Sequence, residues 1–168
     1  RIVLGGTADV AGNFDFAVAR LLSNGLPDAN FSSDGRVTLG FDLGGQTGSE
    51  DDEALGMIVQ RDGKIVLVGE ADISSNKLAP NYDVAIARLQ PDGSPDNGFG
   101  SNGRTLVAFD LAANGLDAGV SVVEQGNGKL IVGGYANASA NAIEATVVRL
   151  NVDGSRDAQF GSLGKVVL

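Results

Sequence analysis

Short apolar runs punctuated by turn residues organise this chain. In the run Asp83–Leu89, Val84, Ile86 and Arg88 fall on one side of an extended strand, and Ala85, Ala87 and Leu89 on the other, because successive side chains of a strand point to opposite faces. Both sides are largely apolar, so the sheet that holds this strand must be covered on both faces. Around it the pattern predicts strands near Leu55–Gln60, over Lys64–Gly69 and over Arg104–Phe109. Asp62-Gly63 separates the first two, and Asn127-Gly128 stands at the matching place further on. Such pairs supply the positive φ that a tight hairpin turn requires.

The same unit recurs. Phe14–Leu21, Tyr82–Leu89 and Ile143–Leu150 align, followed by Gly25, Gly93 and Gly154, by Asp28, Asp96 and Asp157, by Phe31, Phe99 and Phe160, and by Gly35, Gly103 and Gly164; each set is spaced by 68 and then 61 residues. A second landmark, Ile2–Gly6, Ile65–Gly69 and Leu130–Gly134, is spaced by 63 and then 65. Four short strands per unit of about 64 residues is the pattern of a β-propeller blade. A sandwich buries one face of each sheet, whereas a blade is packed on both, and a β-solenoid usually has shorter repeats. The expected fold is therefore all-β, with blades of four antiparallel strands. The first unit lacks its opening strand, which leaves about 2.7 blades: a partial blade over residues 1–40 and complete blades over 41–109 and 110–168.

The motifs Gln60–Gly69, Ala87-Arg88-Leu89, Pro91–Asp96 and Phe99-Gly100 resemble the delta-60 repeat, a bacterial repeat family of unknown function read as a β-propeller. The resemblance spans essentially the whole chain. It implies the fold and a bacterial secreted or cell-envelope setting, and it supplies no activity and no catalytic residues.

Composition narrows the chemistry. The chain has 168 residues and contains no His, Cys or Trp. Cys/His zinc sites, Cys nucleophiles, His bases and disulfides are therefore excluded within it. A net charge of −9 disfavours non-specific association with nucleic acid or anionic membranes. No apolar run approaches the roughly 18 residues of a membrane helix. The chain opens at Arg1 inside a strand-like run with no targeting segment, which reads as an excised or processed piece.

In an antiparallel meander, successive connections leave from opposite edges. One edge carries the Asp-Gly and Asn-Gly turns and a connection of constant length. The other carries connections at 7–16, 40–53, 70–83, 108–118 and 135–144 that vary in length and composition, the usual place for binding. These variable segments hold 13 of the 21 acids, including Asp9, Asp15, Asp42, Asp83 and Glu144, and only Lys77 of the 12 bases. The candidate acidic face is Glu50, Asp51, Asp52, Glu53, Asp72, Asp110 and Asp117. Cations or a basic partner would be attracted there, while the plainer reading is a solvated, solubilising surface. Tyr82 and Tyr135 lie on the same edge and offer stacking surfaces for a sugar.

Two further sets invite a functional reading and favour a structural one. Asn151, Asp153 and Asp157 sit in a run like a calcium loop, but the matching positions are Gln90, Asp92 and Asp96 and then Leu22, Asn24 and Asp28. The first ligand is lost and no bidentate Glu follows, so a backbone-bonded turn is favoured over a Ca²⁺ site. Arg20, Arg88 and Arg149 recur in every unit, which points to pairing with Asp28, Asp96 and Asp157 rather than to an anionic ligand. Phe31, Phe99 and Phe160 are expected to plug the spaces between blades.

The expected function is a non-catalytic binding or scaffold segment with no obligate cofactor. It would engage a protein or carbohydrate partner through the acidic edge, with further blades supplied by a parent chain or by identical subunits. The competing expectations are a carboxylate-dependent hydrolase such as a glycosidase, or a purely structural repeat of a large adhesin or assembly.

Overall fold

The computed structural model describes residues 1–41, 51–74, 79–113, 115–139 and 141–168. Among them are eleven strands: β1 (Ile2–Val10), β2 (Asn13–Leu21), β3 (Arg36–Leu39), β4 (Asp52–Val59), β5 (Ile65–Asp72), β6 (Tyr82–Leu89), β7 (Arg104–Val107), β8 (Asp117–Glu124), β9 (Leu130–Ser139), β10 (Ala142–Leu150) and β11 (Lys165–Val167). They form three antiparallel sheets in sequential order, β1-β2-β3, β4-β5-β6-β7 and β8-β9-β10-β11. The propeller expectation holds, with one three-stranded and two four-stranded sheets.

Burial on both faces is met in the middle sheet. Val66, Val68, Val84 and Ile86 pack with Val122, Leu130, Val132, Val148 and Leu150 of the third sheet. Ile65, Leu67, Ala85, Ala87 and Leu89 pack with Phe16, Val18, Phe31 and Leu39 of the first. The period-2 alternation thus divides each middle strand between two cores. The outward faces of the terminal sheets are less covered. Ile2 and Leu4 in β1 and Ile143 in β10 are about half exposed or more, at 48%, 52% and 67%.

The phenylalanines join neighbouring sheets. Phe31 lies over Gly93, where an added Cβ would come 3.0 Å from the ring, and Phe99 lies over Gly154, where the clearance is 2.9 Å. A backbone bond accompanies each: Ser32 N to Asp92 O at 2.9 Å and Gly100 N to Asp153 O at 2.8 Å. The matching halves stand open at the ends of the stack. Gly25 has no atom within 4 Å of an added Cβ, and Phe160 is half-buried.

The variable edge is more regular than its sequence implies. Within 7–16 only Ala11 and Gly12 interrupt the pairing, both with positive φ, and β9 and β10 pair out to Ser139 and Ala142. Of these hairpin tips, the one over 137–142 carries only Ala, Asn and Ser, so periodicity does not reveal it. They pair because a strand end left alone would strand its backbone donors and acceptors.

Candidate functional site

The two edges differ: on the constant edge the recurring charges pair with one another, and on the variable edge carboxylates meet other carboxylates. On the constant edge each repeated Arg pairs with its Asp. Arg20–Asp28, Arg88–Asp96 and Arg149–Asp157 lie at 2.9, 2.7 and 2.6 Å. The connection folds back so that the Asp amide bonds to the Arg carbonyl, as in Asp96 N to Arg88 O at 2.9 Å. Each guanidinium also covers the Phe of its own unit, at 4.7, 4.4 and 4.6 Å from the ring centroid. A third partner completes every clamp: Arg1, Lys64 and Lys129 reach the same carboxylates at 2.8, 3.2 and 2.7 Å. These cations precede the Ile2, Ile65 and Leu130 landmark, so the repeat spacing marked them as recurring, while their shared Asp partner shows only in the fold.

The clamp explains the turn beside it. Asp157 is taken up by Lys129 and Arg149, Asp153 Oδ1 accepts from Ser155 N and Oγ at 3.0 and 2.6 Å, and Asn151 Nδ2 donates to Ser155 Oγ at 3.0 Å. Asn151, Asp153 and Asp157 therefore each have at least one polar atom engaged within the protein. The Lys129 bond to Asp157 outweighs burial and, with the Gln159 amide and Arg149, holds the Asp157 carboxyl at about 2. A carboxyl depressed in the folded state stabilises the protein above its unfolded value near 3.8, and that contribution fades as pH falls toward about 2. Asp157→Asn is expected to flatten the stability-against-pH curve between pH 4 and about 2. Acid titration followed by circular dichroism checks this, and an unchanged curve would contradict the clamp.

On the variable edge the acids divide by burial. Asp52 and Asp117 are the buried first residues of β4 and β8, and each receives the chain arriving from the preceding sheet. Asp52 Oδ2 accepts from Phe41 N at 2.6 Å, and Asp117 Oδ2 from Phe109 N at 2.5 Å and Asp110 N at 3.1 Å. Asp72, also buried, accepts from Ser74 N and Asn81 N at 2.9 and 3.0 Å and shapes the connection after β5. Asp51 Oδ1 accepts from Phe14 N at 3.1 Å. Glu53 and Asp110 are exposed, while Glu50, Asp42 and Lys77 lie outside the described residues. The acidic surface is thus narrower than the charge count implies, because Asp52, Asp72 and Asp117 cap backbone amides inside the protein.

Two groups of carboxylates face one another on this edge. In the first, the β4–β5 register sets Glu53 opposite Glu70, a like-charge cross-strand pair. Burial, and then the Glu53 charge, push the Glu70 carboxyl up to about 7. The same two glutamates act on both tyrosines. Burial and nearby carboxylates, Glu70 and Glu53 among them, raise the Tyr82 and Tyr135 hydroxyls. In the second group, Asp83 of β6, Asp110 and Asp117 bring carboxylate oxygens within 4.8 Å of one another. Burial, then the charges of Asp110 and Asp117, raise Asp83 to about 6 against the opposing pull of Lys165. Burial likewise raises Asp117, opposed by the Phe109 and Asp110 amides.

A cleft of about 490 Å³ is bordered by Gly40, Phe41, Ser101, Asn102, Arg104, Thr105 and Leu106 and has no carboxylate in its wall. Two others, along β1–β3 and near Arg1 and Pro91, also have none. Among the described residues no helix is long and apolar enough to cross a membrane.

Comparison with curated proteins and with solved structures finds no match. A family model does match, over residues 1–31, 60–99 and 125–160, well over half of the chain. Each matched segment runs through the second and third strands of a unit and ends on the Phe of the clamp. With three sheets stacked in sequence and one clamp repeated in each, the chain belongs to the β-propeller family described as a domain of unknown function, DUF5122.

Proposed function

We propose that this propeller segment is a non-catalytic binding and scaffold module whose acidic variable edge receives a basic segment of a partner protein. The observation that carries the reading is the Glu53–Glu70 pair, set face to face by the β4–β5 register beside Tyr82 and Tyr135. A like-charge pair opposite each other destabilises a sheet, and a lysine or arginine placed between the two glutamates would relieve the repulsion. The flanking aromatic rings suit a cation as well as a sugar face. The resemblance to a bacterial repeat supports a secreted or envelope setting, and the open Gly25 and Phe160 halves support further blades of the same kind at either end.

The probe is a lysine-rich peptide titrated by calorimetry at low and physiological salt. The double variant Glu53→Gln/Glu70→Gln is expected to weaken binding by about tenfold, at roughly 0.5–1 kcal/mol per lost ion pair. Asp34→Asn/Asp62→Asn, on the opposite edge, should leave it unchanged. Equal loss from both variants would reduce the interaction to net charge alone.

One observation favours a second reading. A glutamate at about 7 facing another carboxylate offers the acid and the ionised partner that a glycosidase employs. Turnover of an oligosaccharide panel, abolished by Glu70→Gln, would establish it.

The raised Glu70 carboxyl also sets a pH dependence. A group raised in the folded state contributes stability below its unfolded value near 4.5 and loses it as pH rises through about 7. Glu70→Gln is therefore expected to raise the melting temperature at pH 8 relative to the parent chain and to have little effect at pH 4. The reverse order would remove the cross-strand repulsion from the account.

A further inference from the structure

We propose that Asp83, Asp110 and Asp117 form a Ca²⁺ site that fastens the second sheet to the third, independently of the Glu53–Glu70 pair. The three carboxylates come from three different stretches: the start of β6, the β7–β8 connection and the first residue of β8. Their ligand oxygens lie within 4.8 Å of one another. Proximity of acids is not by itself a site. What distinguishes this one is that Asp83 and Asp117 are only 6% and 2% exposed, yet Oδ1 of each is buried with no hydrogen-bond partner. Buried carboxylate oxygens left without donors are costly. Asp117 Oδ2 is already engaged by the Phe109 and Asp110 amides, so its Oδ1 is the oxygen left to accept a ligand.

The charge balance fits a divalent ion. Lys165 is the cation that acts on this group, and its ammonium is held by Ala108 O at 2.8 Å. One positive charge against three carboxylates leaves two negative charges when all are ionised. The donors are all oxygen, which selects a hard cation. Carboxylates drawn from three separate stretches suit the flexible, irregular coordination of Ca²⁺, whereas Mg²⁺ demands a stricter octahedron. Asp110 is exposed and adopts φ 52°, which leaves one side of the group open to solvent for entry and for water ligands.

The site is also placed to act between sheets. Tyr82, beside Asp83, forms a parallel bridge with Leu116, beside Asp117, and Tyr82 N donates to Gly115 O at 3.2 Å. An ion held by Asp83 and Asp117 would reinforce this crossing from the second sheet to the third.

The experiment is Ca²⁺ titration of the metal-stripped full chain by calorimetry, with thermal melts as a second readout. Asp110→Asn is the central variant, because Asp110 is exposed and its side chain is not needed for the core. The parent chain is expected to take up Ca²⁺ saturably and to melt at a higher temperature with it. Asp110→Asn and Asp83→Asn should each lose one bound equivalent or weaken it at least tenfold, and Asp153→Asn should bind like the parent. Absence of uptake at millimolar Ca²⁺, or uptake untouched by Asp110→Asn and Asp83→Asn, would overturn the site. Mg²⁺ binding as tight as Ca²⁺ would overturn the assignment of the ion. Loss of peptide binding in Glu53→Gln/Glu70→Gln with Ca²⁺ uptake intact would separate the two edge sites.

Discussion

Replacing Phe99 with alanine is expected to lower the unfolding free energy by about 3–5 kcal/mol. Phe99 is fully buried, its ring rests on the bare backbone of Gly154, and its other side is covered by the Arg88 guanidinium at 4.4 Å. Truncation removes apolar surface from the joint between two sheets and leaves a cavity that neither backbone can close. It also removes the ring beneath Arg88, a nearly buried cation already committed to Asp96. Phe160→Ala provides the internal comparison. It occupies the same repeat position under Arg149, but it is half-buried, and among the described residues no following sheet lies against it. Its loss in this chain should be less than half as large. Urea unfolding of both variants measures the difference, and equal losses would show that the Phe acts within its own unit rather than as a plug between sheets.

Gly69→Ala is expected to cost about 3 kcal/mol or to prevent folding. A Cβ at Gly69 would lie 1.8 Å from the Glu53 carbonyl oxygen, a backbone atom with no rotamer to yield. The contact arises where the β4–β5 register slips between Ala54 and Gly56. The third sheet repeats the arrangement, where a Cβ added at Gly134 would lie 1.9 Å from Ala118 O at the slip between Gly119 and Ser121. These bulges aim the first strand of a sheet toward its neighbour, and β8 packs across β4, β5 and β6. Gly6 holds the same repeat position in the first sheet, where among the described residues no opening strand pairs with β1, and an added Cβ there meets nothing within 4 Å. Gly6→Ala should therefore be neutral or stabilising by up to about 1 kcal/mol, since glycine weakens a strand interior. Thermal melts of Gly69→Ala and Gly6→Ala should separate widely. Similar values would mean that the glycines are retained for strand flexibility and not for clearance.

The recurring residues made much of the architecture legible. The Arg–Asp pairing and the role of Phe31 and Phe99 between sheets followed from positions that repeat in step. The second cations, Arg1, Lys64 and Lys129, repeat as well, but in step with the other landmark, so their convergence on the same Asp appears only when the second strand of a sheet is laid beside the third. The acidic edge was legible only as charge. Asp52, Asp72 and Asp117 look like Glu53 and Asp110 in the sequence, and they differ only in whether a backbone amide reaches them inside the protein.

The sequence by itself determined the strands, their order, the repeat and the need to cover both faces of the middle sheet, because these depend on local alternation and on turn chemistry carried by neighbouring residues. Only the tertiary structure decided which carboxylates meet. Glu53 reaches Glu70, and Asp83 reaches Asp110 and Asp117, through strand register, a bulge and the crossing of one sheet over the next. Those are long-range geometric quantities, and a shift of one residue in pairing would turn the same acids to opposite faces.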